Sequence, residues 1–513
     1  MKRPLAVAGF SLLGALAVLC AFNNTALSLI AGLVAYILFM ITSVIYETRK
    51  KLTLPTAFFT VVIACFMFYC AQSNFTSVSE KVNTDAQIIC SVQEKPQFNE
   101  TYGRYYCKAK IITIDGKKYR GSIRLSFNTT YDEMDLANFE IGNKLYFKGH
   151  LYAVGGENES IVDYFKSEKI FIGAYGIKDM SVLLPKYRSI NYYGEKLREF
   201  IAEGFRDNFT RNTAGFLTAL ITGSKEYISD RIYDTFKNSG VAHIMAVSGM
   251  HLAVLVMFLN LFIRKLRKKH KVIYFTVLTV FILLFMFVAS FSPSVVRAGV
   301  MLIIVLTGNL IDKRGDSLNS LGFACICILA VNPFAVMSPS FLLSVLSTLA
   351  IILSAIPLFK KYSNILYDRS GLSSGISYFI IKAVVFSLAT SLSVMLYTLP
   401  VTAVLFGRVS LISPVTNLLF MPVTTVIIIL AFVSALLCSF GAMPELLVFI
   451  TEKLSSYCLW VAELLGGTDR FVLKTESALS IGVCIAVPFV MYLAITISKK
   501  LYRKMRHKIK PLL

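Results

Sequence analysis

Carboxylates are what the central part of this sequence lacks. From Thr235 to Met443 the acidic residues are Asp312, Asp316 and Asp368 alone, and from Thr235 to Ile311 there is none. Carriers driven by protons or sodium ions set carboxylates inside the helix bundle, because an ion in hydrocarbon needs a charged partner. The absence counts against an ordinary cation-coupled symporter. It also counts against a serine hydrolase, whose base is usually oriented by a carboxylate. The five His include no His-Glu-x-x-His pair, and no Walker A run is present, so neither a zinc protease nor nucleotide hydrolysis is indicated. Cys325 and Cys327 stand one residue apart without further ligands. No metal, no cofactor and no catalytic residue is expected, and the chain is not taken for an enzyme.

Charge of either sign is scarce, at 16% of residues, where soluble domains carry about a quarter. Apolar runs take its place, near 5–22, 26–46, 54–71, 242–263, 272–291, 294–311, 318–337, 339–358, 377–400, 411–436, 441–466 and 478–498. Runs of this length read as a polytopic α-helical membrane protein of about 10–12 transmembrane helices. The run 441–466 carries Glu445, Glu452, Lys453 and Glu463 and fits an interfacial helix as well as a span. No small-x-small cleavage pattern follows the first run, which is expected to remain as a helix. The net charge of +22 comes largely from Lys and Arg that flank these runs, as in Arg264 to Lys271 and in the tail 499–513. By the positive-inside rule both termini are cytoplasmic and residues 73–190 lie outside.

Residues 73–190 change character. Short runs of alternating polarity begin at Ala86, Tyr105, Tyr119, Lys144 and Ile170, with turn signals such as Asp115-Gly116 between them. Five short strands at this spacing predict a small all-β barrel or sandwich. If the first two strands pair, Cys90 and Cys107 are placed to form a disulfide, which persists outside the cytoplasm. Arg104, Lys108, Lys110, Lys117, Lys118, Arg120 and Arg124 are interleaved with Tyr102, Tyr105, Tyr106 and Tyr119. That pattern suits single-stranded nucleic acid, whose bases stack on rings while phosphates meet cations. An ordinary solvated sheet explains it too, since the region holds 16 Lys/Arg against 14 Asp/Glu.

The stretch from Ser239 to His251 sets His243, Ser248, Gly249 and His251 at the start of an apolar run. Polar groups at such a place are costly and mark a functional candidate. Arg297 stands near the start of the next run but one, either as an interfacial anchor or as a lining of a path. Ser338-Pro339, Leu399-Pro400, Phe406-Gly407, Ser413-Pro414, Asn417 and Met421-Pro422 interrupt later runs. Broken helices in a bundle either mark a translocation site or are simple kinks. An acid-free core holding Arg297, Lys382 and Arg408 favours the passage of an anion.

The ordered motifs resemble the ComEC family of DNA-internalisation proteins. They run from Leu220-Ile-Thr-Gly223 through Phe236-Lys-Asn-Ser-Gly240 and His243-Ile-Met-Ala-Val-Ser-Gly-Met-His251 to Ser294-Val-Val-Arg297. Asn332-Pro333, Ser340-Phe-Leu-Leu-Ser344, Leu399-Pro400, Phe406-Gly407, Asn417 and Pro422 complete them. The resemblance implies an OB-like fold for the extracytoplasmic domain, contact of that domain with incoming DNA, and passage of one strand through the core. Many members append a metallo-β-lactamase-like domain; here no His-x-His-x-Asp-His cluster occurs before Leu513, so strand degradation is not carried over.

The expected organisation is thus 1–72 N-terminal helices, 73–190 OB-like domain, 191–240 amphipathic interfacial helices, 241–498 channel core and 499–513 cytoplasmic tail. The expected function is single-stranded DNA import across the bacterial cytoplasmic (inner) membrane during natural transformation. His243, Ser248, Gly249, His251, Arg297 and Asn417 are expected on the path. Expected partners are single-stranded DNA, membrane lipids, an external DNA receptor or uptake pilus, a cytoplasmic helicase motor, a separate nuclease and further copies of the chain. The alternatives are a transporter of another anionic polymer or a lipid-linked substrate, and an intramembrane hydrolase using Ser248.

Overall fold

Period-two alternation builds the first unit. A computed structural model describes residues 3–22, 53–99, 102–128, 139–156, 159–183, 188–312, 315–360, 376–441 and 443–475. The expected spans 26–46 and 478–498 and the tail 499–513 lie outside these residues. Strands β1 (Asp85–Val92), β2 (Gln97–Asn99), β3 (Arg104–Ile114), β4 (Lys117–Lys118), β5 (Ser122–Asn128), β6 (Lys144–Tyr152) and β7 (Ile170–Leu183) form one sheet. Its order is β1-β6-β7-β5-β3, and β1 also pairs with β3, so the five long strands close into a barrel. Only β5 and β7 run parallel. Closure leaves no long edge unpaired, and the inward positions Ile88, Ala109, Leu125, Phe147 and Ile172 are buried.

The expected disulfide is not formed. Cys90 and Cys107 are both free and buried. A register shift after Ile89 sets Ile111, not Cys107, opposite Cys90, while Cys107 pairs with Leu125. Burial pushes the Cys90 thiol up to about 12 and the Cys107 thiol well above its ordinary value. Both thiols are therefore expected to resist a maleimide in the native protein and to react after denaturation without reductant. Mass spectrometry of the labelled chain checks this; unlabelled cysteines that appear only after reduction would show a disulfide.

The helices follow the apolar runs. They are α1 (Pro4–Phe22), α2 (Thr53–Ser79), α3 (Glu159–Ser167), α4 (Ile190–Asn208), α5 (Arg211–Thr222), α6 (Asp230–Asn238) and α7 (Gly249–Ile263). Then come α8 (Lys271–Val288), α9 (Pro293–Leu310), α10 (Ser317–Val331), α11 (Pro339–Ala350), α12 (Ile376–Phe406), α13 (Ser413–Cys438) and α14 (Glu445–Gly466). Six helices among the described residues are long and apolar enough to cross a bilayer: those in α2, α8, α9, α12, α13 and α11 with its continuation to Lys360. The chain is a multi-pass membrane protein. Helices α1, α7 and α10 are apolar but shorter.

Helix α14 is not among the six. Its Glu452 accepts from the Thr210 amide at 2.6 Å and the Thr213 hydroxyl at 2.7 Å. The carboxylate thus serves the N-terminus of α5, where orphan amides and the helix dipole favour a negative charge. Over 191–240 the expectation is of amphipathic interfacial helices; α4 buries Ile201, Ala202 and Phe205 and exposes Phe200 and Leu197. The expectation fails for α5, which is buried at every residue from Thr213 to Thr222. Its threonines permit this because Thr218 and Thr222 return their hydroxyl hydrogens to the Ala214 and Thr218 carbonyls, both at 2.8 Å.

One corner of the barrel docks on the end of α10. Asn332 ends α10, its Nδ2 donates to the Ser167 carbonyl at 2.7 Å, and its Oδ1 accepts from the Phe334 amide at 3.2 Å. Lys169 donates to the Val331 carbonyl at 3.0 Å, and Phe75 meets Phe171 edge-on with ring centroids 5.5 Å apart. Barrel interior, α1, α2, α10 and the Pro333–Met337 turn share one apolar cluster. Helices α4 to α9, α13 and α14 build a second.

Candidate functional site

Residues from both apolar bodies line a cavity of about 1600 Å³. One end lies against the barrel and α4, where Glu94, Lys95, Lys108, Glu168, Glu195, Arg198 and Glu199 face it. These charges neutralise one another. Lys108 lies 3.5 Å from Glu94 and 3.2 Å from Glu168, Lys95 pairs with Glu199, and Arg198 Nε donates to Glu195 at 3.0 Å. The lining contributed by residues 240–421 is different. It is largely Ser, Thr and small apolar groups, and its charged members are Arg297 and Arg408.

Serine and proline place the helix ends here. Pro293 and Pro339 stand in the first turn of α9 and α11, and Pro414 in that of α13. Proline suits this position because its missing amide is one that a first turn leaves unpaired. Ser294, Ser340 and Ser413 face the cavity beside them. The Ser294 hydroxyl lies 3.5 Å from both the Ser340 carbonyl and the Ser340 hydroxyl.

The stretch 239–251 is not continuous helix. Ala242–Ile244 forms one 3-10 turn, and α7 begins only at Gly249, later than the expected 242. Ser248 caps it: the Met250 amide donates to Ser248 Oγ at 3.3 Å, and the Ser248 amide donates to His251 Nδ1 at 3.1 Å. Ser248 Oγ also lies 2.9 Å from that nitrogen. This is a capping box with His in the place of the usual Glu or Gln. Because Nδ1 accepts an amide hydrogen, the neutral ring carries its proton on Nε2. His251 is wholly buried and does not line the cavity, which corrects its expected place on the path. His243, Ser248 and Gly249 do line it.

Arg297 is 8% exposed, so the interfacial-anchor reading does not apply. Its Nη1 donates to the Ser344 carbonyl and to Thr348 Oγ1. Its Nε is buried without a partner among the described residues, and no carboxylate there pairs with it. A Cβ added at Gly249 would stand 3.1 Å from Arg297 Nη2 and 2.8 Å from Ala298 Cβ; glycine makes room for the guanidinium against α7. Asn417 is buried on the cavity wall, its Nδ2 3.4 Å from Ser413 Oγ and its Oδ1 unpartnered among the described residues.

On the barrel, alternation along β3 sends Arg104, Tyr106, Lys108 and Lys110 outward and Cys107 and Ala109 inward. Lys108 pairs with Arg124 of β5, whose guanidinium stacks 3.7 Å from the Tyr106 ring centre. Of the expected basic face, Arg104, Tyr106, Lys108, Lys110 and Arg124 thus share one outer side of the sheet, where Lys108 lies between Glu94 and Glu168. Tyr105 and Tyr119 do not join this face. Tyr105 stacks on Phe127, centroids 5.8 Å apart, and Tyr119 packs against the barrel core. Arg120 is exposed on the turn before β5.

A family model described as "Competence protein" matches residues 220–500. The protein named ComE operon protein 3 from Bacillus subtilis (strain 168) is 26% identical over 232 residues, covering 45% of this chain and 27% of that protein. The chain thus aligns with about a quarter of that relative's length. No solved structure matches. The matched span takes in α7 to α14 and every helix end that meets Arg297, and with more than half of the sequence inside it the chain belongs to the Competence protein family, of ComEC type.

Proposed function

We propose that the chain is a channel, not an enzyme, that carries single-stranded DNA across the bacterial cytoplasmic membrane during natural transformation. The observation that carries this reading is the cavity: it opens beside the barrel and continues into an acid-free interior that holds Arg297 and Arg408. A polyanion meets no fixed negative charge there, and hydroxyl-rich walls bind it weakly enough to let it move on, as conduction requires. In this reading the barrel is extracytoplasmic and offers Arg104, Tyr106, Lys110 and Arg124 to the incoming strand. The basic turn Arg264 to Lys271 and both termini are cytoplasmic. The gate is made by His243, Ser248, Gly249, Arg297 and Asn417. His251 holds the helix end that presents Ser248.

A channel without a nucleotide-hydrolysis motif takes its driving force from elsewhere. The partners that fit are a receptor or uptake pilus outside, a helicase motor inside, a separate nuclease, membrane lipids and further copies of the chain. In a deletion strain, labelled DNA is expected to bind the cell surface but not to become protected from added nuclease. Protected uptake at the wild-type level would refute the reading.

A further inference from the structure

We propose that the first turns of α7, α9 and α11, together with Arg297, form a seat for one phosphate group of a phosphodiester backbone; this rests on the strand-import reading above. Each of the three helices is at least 12 residues long. Each ends at the seat with amides that have no intrahelical partner and with the positive pole of its dipole, about half a charge. Proline at the start of α9 and α11 makes Ser294 and Ser340 the first residues able to donate an amide hydrogen. Their hydroxyls lie within 3.5 Å of each other. Gly249 brings the α7 backbone against Arg297 Nη2.

The independent sign of a ligand is the guanidinium itself. Arg297 is more than nine-tenths buried, lines the cavity and meets no carboxylate among the described residues, and its Nε has no partner. Only Nη1 is engaged, by neutral acceptors on α11 that fix the plane of the fork. The edge bearing Nε and Nη2 remains, and two parallel N–H groups match the spacing of two phosphate oxygens. A buried cation surrounded by helix N-termini and no acid has every nearby fixed charge of one sign. A phosphate monoanion balances it, and at helix N-termini without a side-chain cap, as those of α9 and α11 are, such an anion is the expected ligand. A strand moving through would place successive phosphates here in turn.

The test uses the full chain in detergent with two probes. Inorganic phosphate, compared with chloride at matched ionic strength, is expected to raise the melting temperature of the wild type and not of Arg297→Gln. A labelled oligothymidylate is expected to bind Arg297→Gln about tenfold or more weakly, the loss of one charge-assisted contact. Its slope of log affinity against log salt is expected to fall by about 0.7. Arg297→Lys, which keeps the charge and loses the fork, is expected to lie between, and it serves if the glutamine variant does not fold. Equal phosphate shifts in wild type and Arg297→Gln, with equal oligonucleotide affinity and salt slope, overturn the seat and leave strand import standing. A phosphate shift confined to the wild type, with no oligonucleotide binding at all, keeps the seat and overturns the strand reading.

Discussion

Replacing Arg297 by leucine is expected to stop DNA uptake without lowering the amount of protein in the membrane. The two effects point in opposite directions because the side chain is costly for the bundle and useful only to the substrate. Burying a cation in a membrane helix is costly, up to roughly 2.5–3.5 kcal/mol at a helix centre and less in the second turn where Arg297 stands, and Arg297 has no carboxylate among the described residues to offset this. Leucine removes the charge and frees Ser344 and Thr348, which already bond each other at 2.9 Å. Losing one partner of a buried charge contact weakens binding by roughly 2–5 kcal/mol, so nuclease-protected DNA should fall by about thirtyfold or more. Immunoblots of membranes alongside uptake assays check both halves. Uptake by Arg297→Leu at the wild-type level would return Arg297 to a structural role.

Gly322→Val is expected to remove the folded protein altogether. Helix α10 crosses α1 backbone to backbone at this residue. A Cβ on Gly322 would stand 2.3 Å from the Leu5 carbonyl oxygen and 2.6 Å from Ala6 Cα, and one on Gly9 would stand 2.1 Å from the Gly322 carbonyl oxygen. Small residues give membrane helices their close approach, and packing is what holds them together there. Neither wall is a side chain that can rotate away. Arg3 bonds Asp316 at 2.8 Å and the Ala6 amide bonds Asn319 at 3.1 Å, which fix the register of the crossing. The whole first cluster, barrel included, leans on α1 and α10. Overpacking of this kind costs about 3 kcal/mol. Gly14 on α1 faces open space, so Gly14→Val is the matched control, expected to accumulate normally. Size-exclusion profiles of detergent extracts distinguish the two.

Local patterns were legible in the sequence where the physics is local. Alternation along β3 and β6 gave the strands, because one face of each must be apolar. Apolar length gave the membrane helices, and Ser338-Pro339 marked the start of α11. Register was not legible. A one-residue irregularity after Ile89 shifts the partners of Cys90, and nothing in the alternation of β1 announces it. Helix α3 is not legible because its nine residues carry Asp163 and Lys166 among apolar groups and read as loop. The burial of α5 depends on what surrounds it, not on its own threonines. His251 reads as a path residue because a polar ring in an apolar run marks a functional candidate, and its capping role is visible only once α7 is seen to start at Gly249. Most of all, the convergence of three helix ends on Arg297 joins residues 249, 294, 297 and 340, and only the tertiary fold brings them together.

Incoming DNA is expected to pass through the cavity between the two apolar bodies. A photo-crosslinking amino acid placed at Ser340 or Thr398, both on the cavity wall, reports this directly in transforming cells. The control position is Phe379, which is 73% exposed on α12 and lies off the cavity. Crosslinks to incoming labelled DNA from Ser340 and Thr398, in single-stranded form, and none from Phe379 are the predicted result. Crosslinks from Phe379 alone, or none from either cavity position while uptake continues, would contradict it.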